Sequence, residues 1–293
     1  MNHSLIECLR ETTELDLFSG LLHVDELAHL KQAFPNVHSV SGLQCDRRCT
    51  FGDLLVAVLK TWPGIRDLSL EKTDVGDAEL IQAAPHCSGL ESLNVGKTGA
   101  TTNGIAAILT HAQRLTSLNA VETEIDDRLL FTMAKSNPLM RELTLISSAV
   151  GNEGVARVIA ACPGIHSLWL VGTKITAELL PVVTEHLVGL TTLAIGQPDV
   201  GINDEVVLPV VRKFPGLQYV DLSGTEITDD TVIEIARTCR GLRRLLIDNT
   251  RVTQQGLLAI ARGCPVLVQL DCDSPDPSVR DALKRNRPWL LLN

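Results

Sequence analysis

A six-residue phrase returns along this chain at a fixed step, and that recurrence restricts the fold more than any other feature. IRDLSL, LESLNV, LTSLNA, MRELTL and IHSLWL begin at Ile65, Leu90, Leu115, Met140 and Ile165, 25 residues apart, and Leu217, Leu242 and Leu267 resume the step after a longer interval. A self-similarity of roughly 20 to 50 residues belongs to stacked arrays, in which each unit buries its apolar face only against its neighbours.

The pattern inside one repeat assigns its elements. Counting from the first residue of each phrase as zero, apolar residues at offsets 3 and 5 alternate with polar ones at 2 and 4, the signature of a half-buried strand. Apolar residues then fall at offsets 15, 18, 19 and 22, as in Ile105, Ile108, Leu109 and Ala112 or Val232, Ile235, Ala236 and Cys239. Separations of three and four put those side chains on one helix face. Each repeat therefore predicts one short parallel strand and one helix.

The punctuation agrees. Thr176, Thr228 and Thr253 share offset 11, where a hydroxyl can cap a starting helix, and Pro138, Pro163 and Pro265 share offset 23, where proline forbids continuation. A Thr or Ser column stands at offset 8: Thr73, Thr98, Thr123, Ser148, Thr173, Thr225 and Thr250. Hydroxyls turned inward there are expected to bond backbone groups of the coils above and below.

With these phrases in hand, the chain resembles the leucine-rich-repeat superfamily, in particular its ribonuclease-inhibitor-like and cysteine-containing classes. The stretch LQYVDLSGTEITDD from Leu217, with Ala236 to Cys239, follows the cysteine-containing repeat closely. The resemblance implies an α/β solenoid, a right-handed horseshoe with parallel strands on the concave face and helices on the convex one. It also brings to mind F-box leucine-rich-repeat substrate receptors of ubiquitin ligases, although nothing ahead of the first repeat looks like an F-box helix bundle. Extending the register backward, Val37 and Thr12 open degenerate repeats. The expectation is one domain over residues 1–293: a cap at 1–11, about eleven repeats over 12–274 and a second cap at 275–293, with WLLL from Trp289 as a lid.

Charge and composition bound the partner. Lys and Arg number 26 against 35 Asp and Glu, a formal net charge of −9 spread along the chain, whereas a duplex-binding surface needs clustered cations. A protein partner is expected, with no nucleic acid, membrane or small-molecule substrate. The first twenty residues carry neither a basic start nor an apolar run before a cleavage site, and no stretch reaches the ~18 apolar residues of a membrane helix, so the chain reads as cytoplasmic, with a nuclear location open.

Outward strand positions have no core to fill, so apolar residues there mark a contact surface. Val121, Ile146 and Val171 share offset 6, and Thr144 and Trp169 share offset 4. An exposed Trp flanked by aliphatics is a hot-spot pattern. Tyr219, the only tyrosine, and Leu246 extend this surface, and Asp221 and Asp248 give it an acidic end that would steer a basic partner. Glu14, Asp16, Asp67 and Glu71 make the other end acidic too, while Arg141, Arg243 and Arg244 dilute the sign. The repeats from Val37 and Leu190 are longer by three and two residues, placing insertions near 43–49 and 196–203 on a possible binding rim.

Other chemistry finds no support. Cys87, Cys162, Cys239 and Cys264 share offset 22 and Cys272 takes the inward offset 5, as small buried hydrophobes do. Cys45 and Cys49 escape that pattern, yet even with His38 nearby they do not make the four ligands of a closed zinc site. The triplet Gly96, Lys97 and Thr98 lacks the earlier glycine of a phosphate loop, having Glu91 in its place. His86, His111 and His186 recur at offset 21, at helix ends, and pair with no nucleophile. The expected function is a non-catalytic recognition, scaffold or substrate-recruiting module without cofactor or metal. Two alternatives remain: a permanent structural subunit of a large assembly, and a ubiquitin-ligase-associated receptor acting without its own F-box.

Overall fold

A computed structural model of the chain describes residues 11–17, 21–197, 201–285 and 287–293. Packing divides it into two compact units, Met1–Met140 and Arg141–Asn293. The amino-terminal cap expected over 1–11 lies, apart from Glu11, outside the described residues.

In the first unit, strands β1 (Glu14–Asp16), β2 (Ser39–Ser41), β3 (Asp67–Ser69), β4 (Ser92–Asn94) and β5 (Ser117–Asn119) alternate with helices α1 (Leu27–Ala33), α2 (Phe51–Thr61), α3 (Asp77–Ala83), α4 (Thr102–His111) and α5 (Asp127–Ser136). Consecutive strands pair in parallel, with Leu15 opposite Val40, Val40 opposite Leu68, Leu68 opposite Leu93 and Leu93 opposite Leu118. The offset-3 residues thus form one inward column, every member of it buried.

The second unit repeats the arrangement with strands β6 (Glu142–Thr144), β7 (Ser167–Trp169), β8 (Thr192–Ala194), β9 (Tyr219–Asp221), β10 (Arg244–Leu246), β11 (Gln269–Asp271) and β12 (Leu291–Leu292). Its helices are α6 (Asn152–Ala161), α7 (Leu179–His186), α8 (Asp204–Lys213), α9 (Asp229–Thr238), α10 (Gln254–Gly263) and α11 (Pro277–Lys284). Leu143, Leu168, Leu193, Val220, Leu245 and Leu270 stand opposite one another in turn. Removing each such side chain from water stabilises the fold by about 1.5–3 kcal/mol. Cys87, Cys162, Cys239, Cys264 and Cys272 are all buried, as their offsets predict.

Eight coils reverse at offset 7 through a residue with positive φ: Lys72, Lys97, Glu122, Ser147, Gly172, Gln197, Gly224 and Asn249, at 52° to 70°. Only two of these are glycine, and a non-glycine residue in that region costs roughly 1–2 kcal/mol. What holds them is the stack itself: the amides of Lys72, Lys97, Ser147, Gln197 and Gly224 donate to carbonyls of the next coil at 2.6–3.1 Å.

The hydroxyl column differs from expectation. Each offset-8 hydroxyl donates to the carbonyl three residues earlier in its own coil, from Thr73 to Leu70 (2.7 Å) through Thr250 to Ile247 (2.8 Å), closing the turn rather than bridging coils. The side-chain ladder between coils runs instead at the helix starts. Asp77 accepts from the amide and hydroxyl of Thr101 (2.8 and 2.6 Å), Asp204 from those of Thr228 (3.0 and 2.7 Å), and Asp229 from those of Thr253 (2.7 and 2.6 Å). Asn152 and Thr176 repeat the arrangement with an amide. A short polar side chain reaches across to cap the following helix, whose own Thr caps internally, as at Thr101, Thr228 and Thr253.

The carboxyl end is closed by α11 and by a buried arginine. Arg287, 2% exposed, donates to the Leu283, Ala261 and Cys264 carbonyls, meeting the last turn of α10 with positive charge. The lid expected of Trp289 to Leu292 takes another form: Leu291 and Leu292 pair with Gln269 and Leu270 as a twelfth strand, and Trp289 stays exposed.

The helix layer is close enough to be tested. A Cβ on Gly263 would run into the Ala236 carbonyl and lie 2.6 Å from the Ala236 Cβ, whereas one on Gly241 meets nothing within 4 Å. In urea unfolding, Gly263→Ala is expected to lose about 1–3 kcal/mol, and Gly241→Ala to stay within about 0.5 kcal/mol of wild type. Equal effects would mean that α9 and α10 do not touch there.

Candidate protein-binding site

Strand alternation leaves offsets 2, 4 and 6 of the second unit on the sheet's outward side. Register aligns Thr144, Trp169, Ala194, Asp221, Leu246 and Asp271 in one row, so four of the residues singled out from sequence stand together. Ile146 and Val171, half-buried, follow β6 and β7 on the same side. Val121 belongs to the first unit, where it is half-buried after β5 and its carbonyl accepts from the Lys97 amide at 2.8 Å.

Two aromatic rings organise this face, Trp169 in the row and Tyr219 two residues before Asp221. Trp169 and Tyr219 come from strands with β8 between them, yet their ring centroids lie 4.3 Å apart at 45°. On β8 between them, Thr192 stands opposite Tyr219 and the fully buried Ala194 opposite Trp169, and neither small side chain separates the rings. The Trp169 indole N–H donates to Ser167 Oγ at 3.0 Å, fixing its ring. A tilted pair at this distance is worth about 0.5–1.5 kcal/mol beyond its buried area. Both rings remain partly exposed.

Asp221 stands next to the pair and is only 7% exposed. Its Oδ1 accepts from the Ser223 amide at 3.0 Å, the same local bond that Asn94 and Asn119 make two residues ahead in the first unit. Its carboxylate occupies the space over Gly196, where a Cβ would lie 2.7 Å from Asp221 Oδ1. Burial pushes the Asp221 carboxyl above its usual range, and repulsion from Asp271 adds to this against the Ser223 hydrogen bonds. Asp248 is raised too, by burial and then by Asp271, Asp273 and Asp221. Burial, reinforced by Asp221, likewise pushes the Tyr219 phenol up to about 12, Arg244 acting in the opposite sense.

The acidic residues of the molecule divide accordingly. Asp46, Glu71, Glu91, Asp126, Glu226 and Glu234 each have a Lys or Arg within 4 Å. Asp221, Asp248, Asp271 and Asp273 have none among the described residues. Asp271 accepts from the Gln269 and Asn293 amides, and Asp273 from the Asn249 backbone, all neutral donors. Negative charge therefore gathers beside the aromatic pair without an ion pair, and Arg244, opposite Tyr219 in register, is the cation that offsets it in part. At the other end, burial and repulsion from Glu91 raise Asp67, while Lys72 and Asn94 hold Glu71 down.

The sequence reading missed Ala194 and Ser167, and took Gly196 only as the start of an insertion. Two small residues at offsets 4 and 6 of one repeat, between a Trp and an Asp on the flanking repeats, were the available signal. Of the two insertions, residues 198–200 lie outside those described, and Leu43, Gln44 and Cys45 of the other border a cleft in the first unit. Among the described residues no group of three or more His, Cys, Asp or Glu is placed to hold a metal, and no helix is long and apolar enough to cross a membrane.

No protein-family model matches the chain. Among solved structures, it superposes on Rad7 from the yeast Rad7–Elc1 complex with a TM-score of 0.61 at 16% identity, over 99% of this chain and 83% of that one. It also superposes on the internalin InlF of Listeria monocytogenes with a TM-score of 0.58 at 14% identity, over 95% of this chain and 86% of that one. The chain has the leucine-rich-repeat fold. At such identities the likeness extends to the coil architecture and not to any residue of the row around Trp169.

A buried carboxylate without a counter-ion strains the fold, and the sign follows from its raised pKa. Its charged form is disfavoured by folding, so stability is lost as pH rises through the folded pKa and is regained below it. Asp221→Asn keeps the acceptor for the Ser223 amide, as Asn94 and Asn119 do. It is expected to be no less stable than wild type at pH 7, against the ~1 kcal/mol loss of an average substitution, with any gain shrinking as pH falls toward 4. Chemical denaturation at both pH values measures this, and a clear loss at pH 7 would assign Asp221 to the framework.

Proposed function

We propose that this chain is a recognition module that binds another protein through the outward sheet face of its second unit, and that the partner lays a basic segment on it. The observation that carries the reading is the Trp169–Tyr219 pair, half-exposed beside Asp221 and Asp248, carboxylates that form no ion pair among the described residues. Aromatic rings backed by unpaired negative charge suit an Arg or Lys side chain, which gains both cation–π contact and a counter-ion. The framework is already ordered, so little entropy is lost when a partner docks. Rad7, one of the chains with this fold, was solved in complex with Elc1.

Recruitment and scaffolding both follow from such a face. The permanent-subunit alternative differs in how the protein is distributed: a recruiter is found partly free in native size fractionation, and a fixed component only in heavy fractions.

The site is tested by affinity capture with crosslinking. Wild-type protein is expected to crosslink to its partner through the face around Trp169 and Tyr219, and Trp169→Ala to weaken capture by roughly tenfold or more, as hot-spot truncations do. Asp221→Asn with Asp248→Asn should weaken it less at high salt than at low salt, because screening already reduces the attraction. Undiminished capture by a folded Trp169→Ala protein would move the site elsewhere.

A further inference from the structure

The two cysteines left unexplained by the repeat pattern meet in the first unit. After β2 the chain pairs Leu22 with Cys45 as a parallel bridge. It then turns through a bond from the Cys49 amide to the Asp46 carbonyl (3.2 Å), and Thr50 caps α2 through the Asp53 amide (3.1 Å). This turn occupies the extra length of the repeat from Val37, and it brings Cys45 Sγ to 2.9 Å from Cys49 Sγ. That is within about 1 Å of the ~2.05 Å covalent bond. Both residues are half-buried, whereas the other five described cysteines are buried in the helix and strand layers. Cys45 also borders a cleft of about 300 Å³ lined by Leu21, Leu43, Phe51, Lys72 and Asp74.

We infer that Cys45 and Cys49 are a reactive dithiol, which a small-molecule disulfide such as glutathione disulfide converts into an intramolecular disulfide. Burial, followed by the Cys49 thiol itself, pushes the Cys45 thiol up to about 12, which disfavours Cys45 as the first nucleophile and leaves the first attack to Cys49. Cys49, having lost its proton to solvent, attacks one sulfur of glutathione disulfide and expels a glutathione thiolate, leaving a mixed disulfide. That thiolate takes the Cys45 proton. Cys45 then attacks the Cys49 sulfur and expels the second glutathione thiolate, which takes a proton from solvent. Two protein thiols and one glutathione disulfide become one protein disulfide and two glutathiones. The new bond fastens the exit of β2 to the start of α2 along one wall of the cleft.

The sequence itself supplies the assay, because Arg47 and Arg48 lie between the cysteines. Full-length folded protein is incubated with glutathione disulfide, alkylated and digested with trypsin. A disulfide leaves peptides Gln32–Arg47 and Cys49–Lys60 joined until reductant is added. Joined peptides forming at least tenfold faster in folded protein than in urea are the expected result. Recovery of both peptides alkylated, or linkage of either to another cysteine, would overturn the inference, as would equal rates in urea. Cys45→Ser should stop at a glutathione adduct on Cys49. Cys49→Ser should stay unmodified over the same period, and an equally fast adduct on Cys45 would overturn the assigned order.

Discussion

Parallel pairing of short strands in strict register is the interaction on which everything else here depends. A three-residue strand is far too short to persist alone, and a helix of about ten residues is marginal in water. Each becomes stable because the next copy of the same phrase buries its leucines and accepts its amides. Register then does a second job at no further expense: a row of inward leucines in step implies rows of outward residues in step. The Trp169 row is the reverse side of the Leu168 column.

The turn at offset 7 shows how strongly the stack dictates local conformation. Lysine, glutamate, serine, glutamine and asparagine all adopt the left-handed conformation there. Only collective bonding to the adjoining coil explains why residues of such different propensity conform. The aspartates at the helix starts act in the same way across coils. Burial would raise Asp77 and Asp204, yet hydrogen bonds from the threonines of the next coil hold both below the usual carboxylate range. Those carboxylates are structural because their charge is satisfied. Asp221 and Asp248 are set apart because theirs is not.

Unsatisfied features concentrate where the framework has no use for them. The aromatic pair fills no core, the four carboxylates of the acidic end form no ion pair among the described residues, and the two thiols of the longer repeat sit outside the buried cysteine column. Each is a local departure from an otherwise consistent pattern, and such departures are where function is to be sought.

The repeat phrase alone determined the strand and helix of each coil, helix starts at the capping Thr228 and Thr253 though not at Thr176, whose helix begins later at Leu179, helix ends before the prolines, the inward leucine column and the burial of the offset-22 cysteines. These are consequences of period, and period is visible in one dimension. The 25-residue step even runs unbroken through 115, 140 and 165, past the boundary between the two compact units. Tertiary structure alone decided what depends on distance across coils. It turned the offset-8 hydroxyls back into their own turns and gave the inter-coil ladder to Asp77, Asn152, Asp204 and Asp229. It also continued the carboxyl end into the sheet as a strand. Most of all, it let Trp169 and Tyr219 touch across Thr192 and Ala194, because a side chain's reach in space is measured against the neighbour that fails to block it, and no spacing along the chain records that.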